Sequence, residues 1–201
     1  MQSSRDVTRG QELDLTNALL RDRLESFVRL RGGYTFPLAG AIYWGVLAYL
    51  GTMDIPLETF LTIAFIGSGM IFPMAWGLSS LAGVNFMGDK SAAGSIVAPA
   101  MFGMLLFWPM AALAFWTAPD LALPILAIGM SMHWPVIGWS YGRTALYTAH
   151  AVARALIVAA LFMFEPENRM VLIPASVAFV YLATVLGIWV DLPAVARSLK
   201  T

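Results

Sequence analysis

Six stretches of about 20 mostly apolar residues recur along the chain, each long enough to cross the hydrocarbon core of a bilayer. They fall at 34–52, 57–82, 95–116, 120–141, 144–164 and 168–190. None carries the one-sided apolar stripe of a surface helix, which suits burial on all sides by lipid or neighbouring helices. A soluble protein with so many buried helices needs a polar shell. Charged residues make up only 12% of this chain, against 59% hydrophobic, where about a quarter charged is usual. The expected fold class is therefore all-α, a polytopic integral membrane protein. Residues 33–201 are expected to form a six-helix transmembrane bundle, and residues 1–32 a cytoplasmic tail and amphipathic helix.

The placement of Lys and Arg orients the bundle, because basic residues accumulate on the cytoplasmic side. Arg5, Arg9, Arg21, Arg23, Arg29 and Arg31 precede the first span, and Lys90, Arg143, Arg197 and Lys200 fall on the same side of it. Arg169 alone is opposite, with Asp54, Glu58, Asp120, Glu165 and Glu167, while Arg154 is left inside a span. Both termini are thus expected in the cytoplasm, with the chain in a bacterial cytoplasmic membrane. The absence of cysteine excludes disulfide and thiolate chemistry. The first apolar run is full length, so no cleavable signal peptide is expected and the first span directs insertion.

Residues 1–12 read as disordered. Residues 14–31, "DLTNALLRDRLESFVRLR", read as a helix with Leu20, Leu24, Phe27 and Arg31 at helical spacing and an Arg21, Glu25, Arg29 ladder. Gly32 and Gly33 end it. Such a helix can lie in the headgroup layer, pack under the bundle, or hold a partner protein or a second copy of the chain. Span 3 has no polar side chain between Ser95 and Thr117, so it is expected to face lipid or an oligomer neighbour.

Segments 58–73 and 120–135 share six identities in sixteen positions and both meet a proline at the end, Pro73 and Pro135. Pro37 and Pro99 repeat the same offset of 62. Spans 1–2 and 3–4 can be parallel repeats, a plan some transporters use, or merely apolar spans alike by composition. Gly67, Ser68 and Gly69 before Pro73 mark the flexible point of span 2.

The distinctive chemistry lies at 131–155, "SMHWPVIGWSYGRTALYTAHAVARA". His133 and His150 stand at equal distances from a turn at Tyr141 and Gly142, roughly 13 Å deep by helical rise. Arg143, Tyr147, His150 and Arg154 follow a 4-3-4 spacing and share one helix face. Side chains lean towards the helix N-terminus, which brings the Arg154 guanidinium to the level of the histidines. Pro135 should free the carbonyl of Ser131 at that depth, and Trp134 flanks the break. The candidate ligand-binding set is therefore His133, His150, Arg154, Arg143, Tyr147, Trp134 and Ser131.

Two readings of this set stand side by side. In one, the partner of a costly intramembrane cation is a ligand: a small anionic or amphiphilic molecule, a lipid among them, forked by Arg154, hydrogen-bonded by the histidines and admitted past Arg143. In the other, Arg154 and His150 lock the bundle through freed carbonyls or through Tyr147, Tyr181 or Thr184. The protein is then a non-transporting membrane subunit or scaffold. No metal site is expected, since two histidines without cysteine or an intramembrane carboxylate fall short of a usual ligand set, and no cofactor. No acid completes a catalytic triad near Ser131 or Ser140. Asp89 and Lys90 read as a solvated loop, and no basic stripe suits nucleic acid. Membrane lipids are the expected surroundings.

Overall fold

A computed structural model describes the backbone of residues 2–200 and the side chains of residues 11–200. Among the described residues 82% are helical and none lies in a strand. Helix α1 (Gln2–Arg29) leads through a 3-10 turn (Arg31–Gly33) into α2 (Thr35–Leu50). There follow α3 (Leu57–Ser68), α4 (Ile71–Leu81), α5 (Val97–Leu105), α6 (Trp108–Thr117), α7 (Pro119–Gly129), α8 (Trp134–Ser140), α9 (Thr144–Phe164) and α10 (Arg169–Ser198). Among the described residues four stretches are long and apolar enough to cross a membrane: Ala93–Thr117, Pro119–Ser140, Thr144–Phe164 and Arg169–Ser198. The bent pair α3 and α4 makes a fifth if its halves form one crossing. These lengths mark a multi-pass membrane protein. Ala93–Thr117 is the least buried of the four, and Phe102, Leu106, Leu113 and Trp116 turn outward.

Two of the interruptions fall where the sequence weakens a helix. Between α3 and α4 the axis bends by 44°, and the chain passes Gly69 and Met70 on tight i→i−3 bonds to Ile66 and Gly67. Between α7 and α8 a similar tightening precedes Pro135. It corrects one expectation: the Ser131 carbonyl is not freed, because the Trp134 N–H donates to it at 3.1 Å. A 3-10 turn ahead of a proline shifts the acceptor's partner by one residue. The α8–α9 corner is set by Gly142, which adopts φ +67°. Its N–H donates to Trp139 and the next N–H, that of Arg143, to Gly138. This is the two-bond C-terminal motif that a left-handed glycine permits, and it folds α9 back along α8.

Contacts sort the connections into two ends. At one end the α1 residues Asp22, Ser26 and Arg29 meet the 89–92 loop, with Ser91 Oγ donating to Asp22 at 2.8 Å and Ser26 Oγ to Asp89 at 2.7 Å. Arg29 forks Asp89. Arg23 donates to the Trp139 carbonyl at 2.5 Å and lies 4.4 Å over its indole. Leu20 and Leu24 share a cleft with Ser198, Leu199 and Lys200. At the opposite end Gly51 abuts Met170, and Leu57, Pro119 and Glu167 share a cleft with Met170.

Helix α1 departs from expectation twice. It is helical from Gln2, so the tail read as disordered is not; Met1 lies outside the described residues. Nor does it present a single apolar face: Leu13, Leu15, Leu19 and Leu20 are all exposed, while Ser26, Phe27 and Leu30 are buried against the bundle. The second half is a docked strut, and residues 11–20 ahead of it are exposed. The loop read as solvated is pinned too, since the Asp89 side chain is only 7% exposed beneath Arg29.

α2 packs most extensively on α10. Two glycines permit the approach. A Cβ on Gly51 would stand 2.1 Å from the Met170 carbonyl oxygen, and one on Gly40 would stand 2.6 Å from the Tyr181 ring. The second contact seats a tyrosine in the middle of the bundle, beside α9.

Candidate functional site

The 4-3-4 face of α9 is where the structure concentrates its buried polarity. Tyr147 and Arg154 are completely buried and His150 nearly so. Arg154 is the eleventh of the helix's 21 residues, about 15 Å from either end by helical rise. Three helices enclose this face: α10 brings Tyr181 and Thr184, α2 brings Trp44, and α8 brings Trp134. Gly138 makes the last approach possible, since a Cβ there would lie 2.6 Å from Cβ of Tyr147.

The rings form a connected group. Trp134 stacks on Tyr147 with centroids 5.8 Å apart and planes 17° from parallel. It also lies 4.9 Å from His150, 5.3 Å from His133 and 5.9 Å from Tyr181. His150 and Tyr181 are 4.7 Å apart. The Arg154 guanidinium carbon sits 5.2 Å from the Trp44 ring centroid and 5.0 Å from that of Tyr181, a doubly aromatic seat for a cation.

Hydrogen bonding covers only part of this group. Arg154 Nη1 donates to Tyr181 Oη at 2.7 Å. Thr184 Oγ1 donates to the Val180 carbonyl at 2.8 Å and lies 2.7 Å from His150 Nδ1. A hydroxyl has one proton, so in the neutral imidazole Nδ1 carries the hydrogen and donates to Thr184, and Nε2 is left as an acceptor. That Nε2 has no partner, nor have Arg154 Nε and Nη2, Trp44 Nε1, Trp134 Nε1 and His133 Nδ1, although all are buried. Among the described residues Arg154 makes no ion pair. Buried polar groups are normally satisfied, and three of the four side chains contributing definite donors or acceptors here offer N–H groups. The arrangement is chemically an acceptor-seeking cluster.

Of the seven residues predicted as a set, His150, Arg154, Trp134 and Tyr147 come together, and His133 joins at the edge through Trp134. Arg143 and Ser131 do not. Arg143 turns its Nε and Nη2 to the two carboxylate oxygens of Asp191, so its charge is already matched. Ser131 Oγ donates to the Ile128 carbonyl at 2.6 Å, a local helix-end bond. Tyr147 keeps its ring in the cluster but donates its hydroxyl to the Gly32 carbonyl at 2.5 Å, tying α9 to the α1–α2 turn. Trp44 is fully buried beneath Arg154. Trp44 was absent from both readings; Tyr181 and Thr184, named in the second reading as partners of Arg154 and His150, meet them here. Between α7 and α9 the structure holds a groove of about 380 Å³ lined by Phe107, Ile125, Met132, Phe162 and other apolar side chains, and by none of the seven. Among the described residues no three His, Cys, Asp or Glu side chains converge as metal ligands would.

Residues 19–191 match the model of a family described as "Family of unknown function (DUF7010)". The chain belongs to that family. The matched stretch runs from the docked half of α1 to Asp191 and so includes every side chain of the cluster. No curated protein and no solved structure matches the chain.

Proposed function

We propose that this protein binds, and moves across or within the membrane, a small anionic or amphiphilic molecule whose acidic group pairs with Arg154. One observation carries the reading: a fully buried guanidinium at mid-span, two of its three nitrogens unpartnered, among the described residues without a carboxylate. A charge at such depth is expensive, and residues of this kind face a partner or a wet cavity. The indole N–H groups of Trp44 and Trp134 add donors, and His133 and His150 add groups able to exchange protons.

The same reading takes the chain across the bilayer six times, with α2 and the bent α3–α4 pair as the first two crossings and both termini in the cytoplasm. It rests on the sorting of connections into two ends and on the basic residues gathered at the α1 end. Because the protein has no cysteine, single cysteines at Thr52, Met87 and Lys200 report this directly. An impermeant maleimide added outside intact cells should label Thr52→Cys alone.

A second reading has support of its own. The Arg154 guanidinium already lies between two aromatic faces and holds Tyr181, which suits a scaffold subunit whose core is only structural. Native mass spectrometry of the purified wild type beside Arg154→Leu separates the two. A small anionic mass on wild type, missing from a folded variant, supports the ligand reading. No bound mass on either, with a variant that merely unfolds more easily, supports the scaffold.

A further inference from the structure

The ligand class can be narrowed from the part of Arg154 that is free; this inference rests on the reading that Arg154 is a ligand site. A guanidinium offers two edges on which N–H bonds run parallel. Tyr181 occupies Nη1, and the unpartnered nitrogens are Nε and Nη2. These two share one edge, the fork that matches a pair of oxygens on one acid group.

The chain shows what this edge takes. Arg143 presents Nε and Nη2 to the two oxygens of Asp191, and Arg29 presents the same two nitrogens to one oxygen of Asp89. In both the acceptor is a carboxylate. On Arg154 the same edge is buried at mid-span and, among the described residues, meets no such group.

Charge separates monoanionic from dianionic acid groups. Arg154 is the one cation of the cluster at neutral pH unless a histidine is protonated, and among the described residues none of its neighbours is acidic. A monoanion brings the sum to zero. A dianion leaves a net charge in a low-dielectric interior, where an unmatched charge is strongly disfavoured. The surroundings also favour a particular body. Trp44, Trp134, Tyr181 and His150 present ring faces, and the indole N–H groups of Trp44 and Trp134 can serve the remaining lone pairs of a carboxylate, which accepts more than two hydrogen bonds.

We infer that the ligand is a monocarboxylate, bound through both oxygens to the Nε–Nη2 edge of Arg154 and packed against the surrounding rings. The carboxylate can arrive from water, as a small aromatic or short-chain acid, or from the bilayer, as a fatty acid. The chemistry recognised is the same.

The test uses the purified full chain in nonionic detergent at pH 8 and native mass spectrometry with five probes. These are benzoate, its neutral isostere benzamide, the dianion phenyl phosphate, dodecanoate and dodecanol. The inference expects one benzoate or one dodecanoate per chain, with benzamide, dodecanol and phenyl phosphate each at least tenfold weaker. Benzoate binding alone marks an aqueous source, dodecanoate alone a bilayer source. Arg154→Lys keeps the charge and loses the fork, and should weaken the carboxylate at least tenfold. If that variant does not fold, as judged by circular dichroism and gel filtration, the ranking of the five probes on wild type still decides. Phenyl phosphate binding as well as the carboxylates overturns the carboxylate assignment and leaves the anion site standing. A wild type that takes none of the probes, yet carries an endogenous mass lost in Arg154→Leu, supports the assignment if that mass is a monocarboxylic acid and overturns it if it is any other anion. No probe and no endogenous mass overturns both.

Discussion

Substituting Gly40 by alanine adds a single methyl group where α2 meets Tyr181, and its effect can be worked out beforehand. The new Cβ would lie 2.6 to 2.8 Å from three atoms of the Tyr181 ring. Ordinary carbon contacts begin about 1 Å further out, so the ring or the whole helix must shift by that amount. Overpacking of this kind costs roughly 1–3 kcal/mol. The shift also draws Tyr181 Oη away from Arg154 Nη1, now 2.7 Å distant, and a hydrogen bond between membrane helices contributes about 0.6–1.7 kcal/mol. The sum is a loss of roughly 2–5 kcal/mol, which for a chain of this size lowers the midpoint of thermal unfolding by about 4–20 °C. The control is Gly45→Ala on the same helix, where a Cβ meets nothing within 4 Å. That variant should be unchanged or gain up to about 1 kcal/mol from helix propensity. Unfolding in detergent, followed by near-ultraviolet circular dichroism, reads both. If Gly40→Ala is as stable as Gly45→Ala, the close α2–α10 approach at Tyr181 is wrong, and so is the seat it gives Arg154.

Other expectations concern the residues that hold the cluster in place. Arg143→Gln and Asp191→Asn should each destabilise the fold, and the double variant by less than their sum, with a coupling of about 0.5–3 kcal/mol; no coupling in a double-mutant cycle would return Arg143 to the candidate ligand set. Tyr147→Phe leaves the buried Gly32 carbonyl without its donor, at a cost of about 1–3 kcal/mol. Trypsin should then cut faster at Arg31, and an unchanged rate would sever α9 from the α1–α2 turn. Gly32→Ala places a Cβ 2.5 Å from Ile188 and 2.8 Å from Phe27 at a φ of +64°. It should cost at least about 2 kcal/mol and loosen α1, measured as faster amide exchange across residues 22–30.

Much of the architecture was legible because lipid leaves a chain few options. Apolar runs of span length must be helices, Gly142 announces the α8–α9 corner, and Gly69 before Pro73 announces the bend. The buried face of α9 was legible for a similar reason: a 4-3-4 spacing is a local property. What could not be read was the cover that α2 brings. Trp44 reaches Arg154 from the opposite end of the sequence, and nothing local to it says so. The Arg143–Asp191 pair was missed because acids near span ends seem to belong to solvent, yet a long arginine at one end can reach an aspartate on the neighbouring helix. Ser131 was misread because a proline need not orphan a carbonyl when the chain tightens ahead of it.

The dependence of α2 on α10 also has a consequence for biogenesis. Everything from α3 to α9 is synthesised between these two helices, so α2 is made long before the surface that receives it. Until α10 arrives, the Trp44 and Gly40 face of α2 is uncovered. Closure of the first helix against a late one makes assembly nearly all-or-none. A nascent chain arrested before α10 therefore displays an uncovered seam that a membrane protease or chaperone can recognise as unfinished.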